Sequence, residues 1–336
     1  MATPSCGEEI TEDTTLDGDL TCDSGPALII TADDVTLDLG GHTVSGNSDE
    51  AAKGVGIVLR DVSGCTVRNG TVQHFGAGIA ISGGSGNVVE HVTAQDNIGA
   101  PDGDFGDGIV ISKSKDNRIR HNTVQRNGPF SGIGLVEEAQ GNEIRGNVVA
   151  DNNMMQTGDP SAGRETHGIR LEGPAANDNT VVRNRVTGSG RHGIIIHPTC
   201  VEMGNCAGTP ANEQNEITRN TSSHNGTSGR GDGIRLFMVS NPVAPTKNTI
   251  THNDVHHNAT NGIAFDARTT ENQASHNRGH NNGEFDGFDG NTEPACDSNT
   301  WDGNNFGLVN QPCVRRPVAT AASGLQAAAS ALTGEG

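Results

Sequence analysis

The sequence predicts an all-β solenoid of stacked coils, on three observations. Asn recurs at five-residue spacing with β-branched residues between, as Asn117, Asn122, Asn127; Asn142, Asn147, Asn152; Asn215, Asn220, Asn225; Asn248, Asn253, Asn258; and Asn272, Asn277, Asn282. Each run is tied to a Gly-Ile-x-Leu or Gly-Ile-x-Ile stretch, in one case Gly-Ile-x-Phe, at Ile57, Ile79, Ile109, Ile133, Ile169, Ile194, Ile234 and Ile263. The steps run from 22 residues (Ile57 to Ile79) to 40 (Ile194 to Ile234). Apolar residues do not recur at i, i+3, i+4, so a helical solenoid is excluded and short strands separated by turns remain. In such a stack equivalent Asn residues lie about 4.8 Å apart, where side-chain amides bond along the stack and satisfy buried turn groups.

Taken in chain order, residues 1–29 read as an N-terminal cap, a Thr/Asp-rich segment bracketed by Cys6 and Cys22. Residues 30–290 carry the coils; residues 291–313, with Cys296 and Cys313, read as a C-terminal cap. The Ala/Ser/Gly-rich stretch 314–336 reads as a tail outside the fold or a short cap helix. Cys200 and Cys206 share one loop, so the seven cysteines predict three disulfides and one buried thiol, Cys65, as in a secreted chain. No apolar signal segment follows Ala2-Thr3-Pro4, so the sequence reads as a mature form with an added Met. Hydrophobic residues are only 32%, but 47 glycines suit narrow coils whose inner face needs one or two aliphatic side chains per strand. A net charge of −19 argues against nucleic acid or an anionic membrane surface as partner. No stretch approaches the ~20 apolar residues of a membrane span.

The motif N-x-I/V-x-x-N-x-x-x-x-N followed by G-I-x-L, over residues 30 to 290, resembles the right-handed parallel β-helix repeat proteins, the pectate-lyase-like superfold. The resemblance implies a right-handed single-stranded helix of about nine coils. That fold hosts lyases, hydrolases, epimerases, phage tailspikes and passive surface proteins, so function must come from a site.

The alternation of a strand defines one face. If Ile and Leu of each Gly-Ile-x-Leu point inward, the residue between them and the one after Leu point outward, and the residue before Gly joins them. On the first four coils these positions are Val55, Val58, Arg60; Ala77, Ala80, Ser82; Asp107, Val110, Ser112; and Ser131, Gly134, Val136. The next three carry His167, Arg170, Glu172; His192, Ile195, His197; and Asp232, Arg235, Phe237, followed by Asn261, Ala264 and Asp266. Ionisable groups are thus concentrated on three coils. The longest insertions, Asn153 to Thr166, Pro198 to Gln214, Gly226 to Gly231 and Met238 to Lys247, fall around the same coils and predict a walled cleft.

These residue types suit acid–base chemistry. His192 or His167 is expected as base, Arg170 and Arg235 as neutralisers of an acidic group, and His197, Glu172 and Asp232 as orienting or proton-donating groups. Asp107, Arg191, Phe237, Asn261 and Asp266 are expected to line the substrate. Abstraction of the proton α to a uronate carboxyl, the shared first step of β-elimination and C5 epimerisation, fits this set. Glu172 with Asp232 or Asp266 would instead suit glycoside hydrolysis. A binding or surface module, a small-molecule enzyme and a solvated salt-bridge ladder stay open, because aromatics are 3% with no Tyr and only Trp301 to stack on sugars.

Fragments of family motifs accompany this reading. Gly106-Asp107-Gly108, Arg191-His192-Gly193 and Ile234-Arg235-Leu236 are similar to parts of the polygalacturonase pattern, whose Asp-Asp element is missing. Mannuronan epimerases carry an Asp-Pro-His motif, and of it this sequence offers only Asp159-Pro160-Ser161. No cofactor is required by the proton chemistry, but Asp102, Asp104 and Asp107, and separately Asp286, Asp289 and Asn291, space oxygens along Gly-rich turns as Ca²⁺ loops do. His91, His121, His252 and His276 occupy one repeat position and read as an exposed edge ladder.

Overall fold

The computed structural model describes residues 4–46, 54–99, 106–154, 166–198, 212–238 and 243–315. Their chain winds into a parallel β-helix. One side is an eleven-stranded sheet, in chain order Glu8–Ile10, Leu28–Ile30, Val55–Arg60, Ala77–Ser82, Asp107–Ser112, Ser131–Val136, His167–Glu172, Ile194–His197, Ile234–Leu236, Ile263–Phe265 and Gly287–Asp289. The rest of each coil adds two more stacked strands, as where Glu143–Arg145 pairs with Arg118–Arg120 and Val148–Ala150 with Thr123–Gln125, all parallel.

A single coil shows how the sequence builds this. Ile133 and Leu135 from the first strand, Ile144 from the second and Val149 from the third are fully buried and fill the cross-section. The glycine before each Ile also faces the core: a Cβ on Gly168 would collide with the Val186 side chain and the Gly193 carbonyl. Because glycine and isoleucine both face in, the residue before glycine is turned to the outer face, as the repeat predicted. At the corners a residue immediately before a ladder Asn adopts left-handed geometry, for example Asp116 (φ 57), His121 (φ 56) and Arg126 (φ 53).

The Asn ladders run as expected. Asn122 donates from its backbone N and from Nδ2 to Asn147 Oδ1 (2.9 and 3.1 Å) and from Nδ2 to the Val89 carbonyl one coil below (2.9 Å). The same three bonds repeat up the stack at Asn147, Asn184, Asn220 and Asn253.

Several expectations need correction. The sheet has eleven strands rather than about nine coils' worth, because the stack begins inside the segment assigned to the cap, where Glu8–Ile10 pairs with Leu28–Ile30. There Asp13 and Asp19 accept the Thr36 and Thr43 amides (2.8 Å each), so carboxylates stand in for ladder Asn. At the other end Asn299 and Asn304 extend the ladders and Asn305–Phe306 still pairs with Arg278–His280, so coils continue beyond residue 290. A 3-10 turn, Pro312–Arg315, closes that end. Cys6–Cys22 and Cys296–Cys313 form disulfides and Cys65 is a buried thiol. Cys200, Cys206 and the tail from residue 316 on lie outside the described residues.

Candidate active site

The predicted columns exist in the register of the sheet. Asp107 pairs with Ser131 and Ser131 with His167; Gly134 pairs with Arg170, Arg170 with Ile195 and Ile195 with Arg235; Glu172 pairs with His197. The side chains lie on the outer face, but they are not exposed. Asp107, His167, His192, Asp232 and Asn261 are each no more than 5% accessible. An outward position on this face is therefore not a solvated one, since its polar groups are packed into each other.

At the lower end Asp107 accepts the Ser131 hydroxyl and lies 3.4 Å from Arg170 Nη2. Arg170 also pairs with Glu172 and sits over the Phe130 ring, 5.2 Å from its centroid. Burial pushes the Asp107 carboxyl up against the opposing pull of Arg170. Sequence reasoning did not assign Ser131 a role; a small hydroxyl in an outward column beside Asp107 was the available signal.

The centre is a histidine stack. His167 and His192 lie parallel, ring centroids 5.4 Å apart and 9° between planes, and the His192 amide donates to His167 Nδ1 (3.4 Å). His192 Nδ1 meets two atoms of Asp232, the backbone N at 3.0 Å and Oδ2 at 3.2 Å. His192 Nε2 is buried with no hydrogen-bond partner among the described residues. Burial lowers the His192 pKa in spite of Asp232, and burial together with His192 and the nearby arginines lowers that of His167 further. Both rings are neutral at neutral pH.

Asp232 holds the upper part together. Its Oδ1 accepts the Asn261 backbone N and Nδ2 (2.8 Å each), and its Oδ2 accepts Arg235 Nη1 (2.8 Å). Burial alone would raise its pKa, but the bond and charge of His192, the Arg235 charge and the Asn261 amide bring it down to about 2. Arg235 spans to Asp266 Oδ1 at 2.7 Å, and burial leaves the Asp266 carboxyl raised even so. Phe237 caps the cluster, 4.9 Å below the Arg235 guanidinium, 5.6 Å from that of Arg191 and 5.0 Å from the His197 ring. His197 Nδ1 is 3.9 Å from Glu172; burial takes its pKa down to about 4, and its Nε2 lacks a partner among the described residues.

The structure thus brings together all seven residues expected to act chemically, with Asp107, Arg191, Phe237, Asn261 and Asp266 around them. Arg170 and Arg235 are not unengaged cations: each already holds two carboxylates. Of the first suggested cation turn, Asp102 and Asp104 lie outside the described residues, and Asp107 faces Ser131 and Arg170. In the second, protein donors occupy the oxygens. Asp286 takes Asn282 Nδ2 and the Gly307 and Leu308 amides, and Asp289 takes Trp301 Nε1 and the Asn291 amide. His91, His121, His252 and His276 are exposed, and stack as 91 on 121 and 252 on 276, an edge ladder as expected.

Comparison with known proteins places the scaffold. Among solved structures, the A-module of the mannuronan C-5 epimerase AlgE4 of Azotobacter vinelandii superposes with a TM-score of 0.66 at 13% identity, covering 94% of this chain and 85% of that one. An alginate lyase from Paenibacillus sp. str. FPU-7 gives 0.60 at 15% identity over 89% and 92%. An endo-xylogalacturonan hydrolase from Aspergillus tubingensis gives 0.56 at 11% over 91% and 87%. At such identities the likeness is one of fold. No curated protein matches by sequence. Residues 27–207 match the family described as the right handed beta helix region. With more than half of its length matched and its coils stacked in parallel, the chain belongs to the right-handed β-helix family.

Proposed function

We propose that the protein is a secreted carbohydrate-active enzyme that moves the proton beside a uronate carboxyl, as a polysaccharide lyase or C5 epimerase does. One observation carries this reading: a buried neutral imidazole, His192, is oriented through Nδ1 by an ionised carboxylate, Asp232, and has its Nε2 unpartnered among the described residues. With its proton on Nδ1, His192 donates to Asp232 Oδ2 and presents the Nε2 lone pair as base. With the proton on Nε2 it is a donor, and Nδ1 accepts the Asp232 amide. Asp232, held ionised, stabilises the imidazolium formed between those states.

The arginines serve the substrate carboxylate indirectly. Asp107 and Asp266, whose pKa values burial raises, take up a proton when an anion enters, and so release part of Arg170 and Arg235 to it. His197, its Nε2 without a partner among the described residues, is the second proton carrier. That similar solved structures include an alginate lyase and a mannuronan C-5 epimerase supports a uronate-containing polymer as substrate. Secretion is supported by the two disulfides.

A glycoside hydrolase is the second reading, favoured by the opposed carboxylates on Arg235, Asp232 down to about 2 and Asp266 raised. It ranks lower because Asp232 is fully buried with both oxygens engaged, which suits an orienting group better than a nucleophile.

The test is mass spectrometry of products from uronic-acid and neutral polysaccharides incubated in D₂O, with calcium or with chelator. Unsaturated fragments identify a lyase, deuterium at C5 without cleavage an epimerase, and water-added fragments the hydrolase. His192→Gln is expected to lower turnover at least ~10²-fold with the fold kept. His192→Ala should in addition lower the melting temperature, since it strands the Asp232 amide at a buried site. Full activity in His192→Gln would remove the assignment, and a panel left unchanged throughout would favour a binding module.

A further inference from the structure

The edge of the coils carries a second histidine cluster, separate from the sheet that bears the candidate active site. His256 ends the strand Asp254–His256, and its register partners are Ser223 below and His280 above. His257 and His224 follow such strand ends as left-handed corner residues, at φ 54 and φ 56. Two columns of imidazoles therefore stand side by side at one corner. Within the columns His256 stacks on His280 (4.9 Å, 8°) and His224 on His257 (5.0 Å, 3°). Between the columns the rings are nearly perpendicular, His256 to His257 at 5.1 Å and 88°, and His224 to His256 at 5.9 Å and 87°. Among the described residues no second column of imidazoles stands beside the exposed pairs His91–His121 and His252–His276.

The nitrogens of this corner are sorted. Asn281 Nδ2 lies against His257 Nε2 (3.4 Å) and His280 Nδ1 (3.3 Å), and His280 Nε2 approaches Asp254 at 3.6 Å. The Nδ1 atoms of His256 and His257 then face each other at 2.9 Å. Two lone pairs that close repel unless a proton or a cation lies between them. Two metal–nitrogen bonds of about 2.0 Å at a right angle separate their nitrogens by about 2.8 Å, whereas a tetrahedral centre needs about 3.3 Å. Imidazole pairs in cis on a tetragonal ion belong to Cu(II) and Ni(II). Among the described residues no three His, Cys, Asp or Glu side chains already converge, so the remaining positions fall to water or to a rotated His224 or His280.

We propose that His256 and His257 form a two-imidazole chelate for a divalent transition-metal ion of tetragonal preference, Cu(II) or Ni(II), at the surface of the coil edge. The full-length protein is dialysed against Cu(II), Ni(II) or Zn(II) with calcium in excess, bound metal is measured, and the Cu(II) form is read by electron paramagnetic resonance. One saturable equivalent is expected, tighter for Cu(II) than for Zn(II), with coupling to imidazole nitrogens. His256→Gln combined with His257→Asn, Asn being a residue that tolerates the left-handed corner, is expected to weaken that equivalent at least ~10-fold. The control pair His91→Asn with His121→Asn is expected to leave it intact. Equal losses in both pairs would mean diffuse binding by surface histidines and overturn the proposal. So would a wild-type spectrum without two coupled nitrogens, which needs no variant to fold.

Discussion

His197 shows what burial does to a residue suited to acid–base work. Its pKa is lowered from 6.5 to about 4, with burial as the largest cause. Between those pH values the unfolded chain binds a proton that the folded chain refuses, so stability rises with pH across the window and is lost as pH falls from about 6.5 to about 4. His167 and His192 shift the same way. Asp232 adds a second, more acidic step. A carboxylate lowered to about 2 contributes stability that is complete above its unfolded pKa near 3.9 and is lost as pH falls towards 2. Urea unfolding measured from pH 7 to pH 4 should therefore show falling stability in the wild type. The fall should be smaller in His197→Gln, by at most about 3 kcal/mol at 1.36 kcal/mol per pKa unit. Parallel profiles would mean that the His197 ring is solvated in solution, and its part as proton carrier would go with them.

The element that decides whether the coil holds is the Asn ladder. Asn184 receives the Asn147 amide N (2.9 Å) and Nδ2 (3.0 Å) on its own Oδ1, and gives its Nδ2 to the Ile144 carbonyl (2.8 Å). Asn184→Ala strands the buried backbone N of Asn147 and leaves its Nδ2 with the Ile119 carbonyl alone, so at about 1–3 kcal/mol for an orphaned group a loss of about 3 kcal/mol is expected in chemical denaturation. Gln273→Ala, on an exposed strand position, should change stability by less than about 0.5 kcal/mol. Equal effects would contradict the ladder's role. This regularity is also why the coils were legible in the sequence: an Asn that bonds its equivalent must recur with the coil. The first coil was not legible, because Asp13 and Asp19 do the same work with carboxylates. Nor were the left-handed corners, which Asp116, His121, Arg126 and Lys247 all occupy, so that no residue type marks them. The charged columns were legible through the period of the strand. Their burial was not, because it comes from ion pairs and ring contacts between coils, such as Arg170 over Phe130 and Arg235 over Phe237, which the strand period does not specify.

At the scale of the molecule the coils form a one-dimensional stack, in which each coil rests chiefly on its two neighbours and only the ends lack one. The C-terminal end is closed by Trp301, which is buried, packs 4.5 Å from the Phe265 ring and donates Nε1 to Asp289 at 2.9 Å. The Cys296–Cys313 bond, with a sequence separation of 17, ties the segment after that closure back to it. A loop of about 15 residues closed by a disulfide is worth about 3 kcal/mol, so Cys296→Ser with Cys313→Ser should cost about that much. In a stack of nearest-neighbour coils the loss stays local. Hydrogen exchange should speed up in Thr300–Asp302 and Asn305–Phe306, and more weakly in Gly287–Asp289, while His167–Glu172 keeps its protection. Turnover should then survive, because His192 and Asp232 sit two or more coils below the loosened end. A uniform rise in exchange along the stack would instead show the helix opening as one block, and the end disulfide would then support the candidate site as much as the cap.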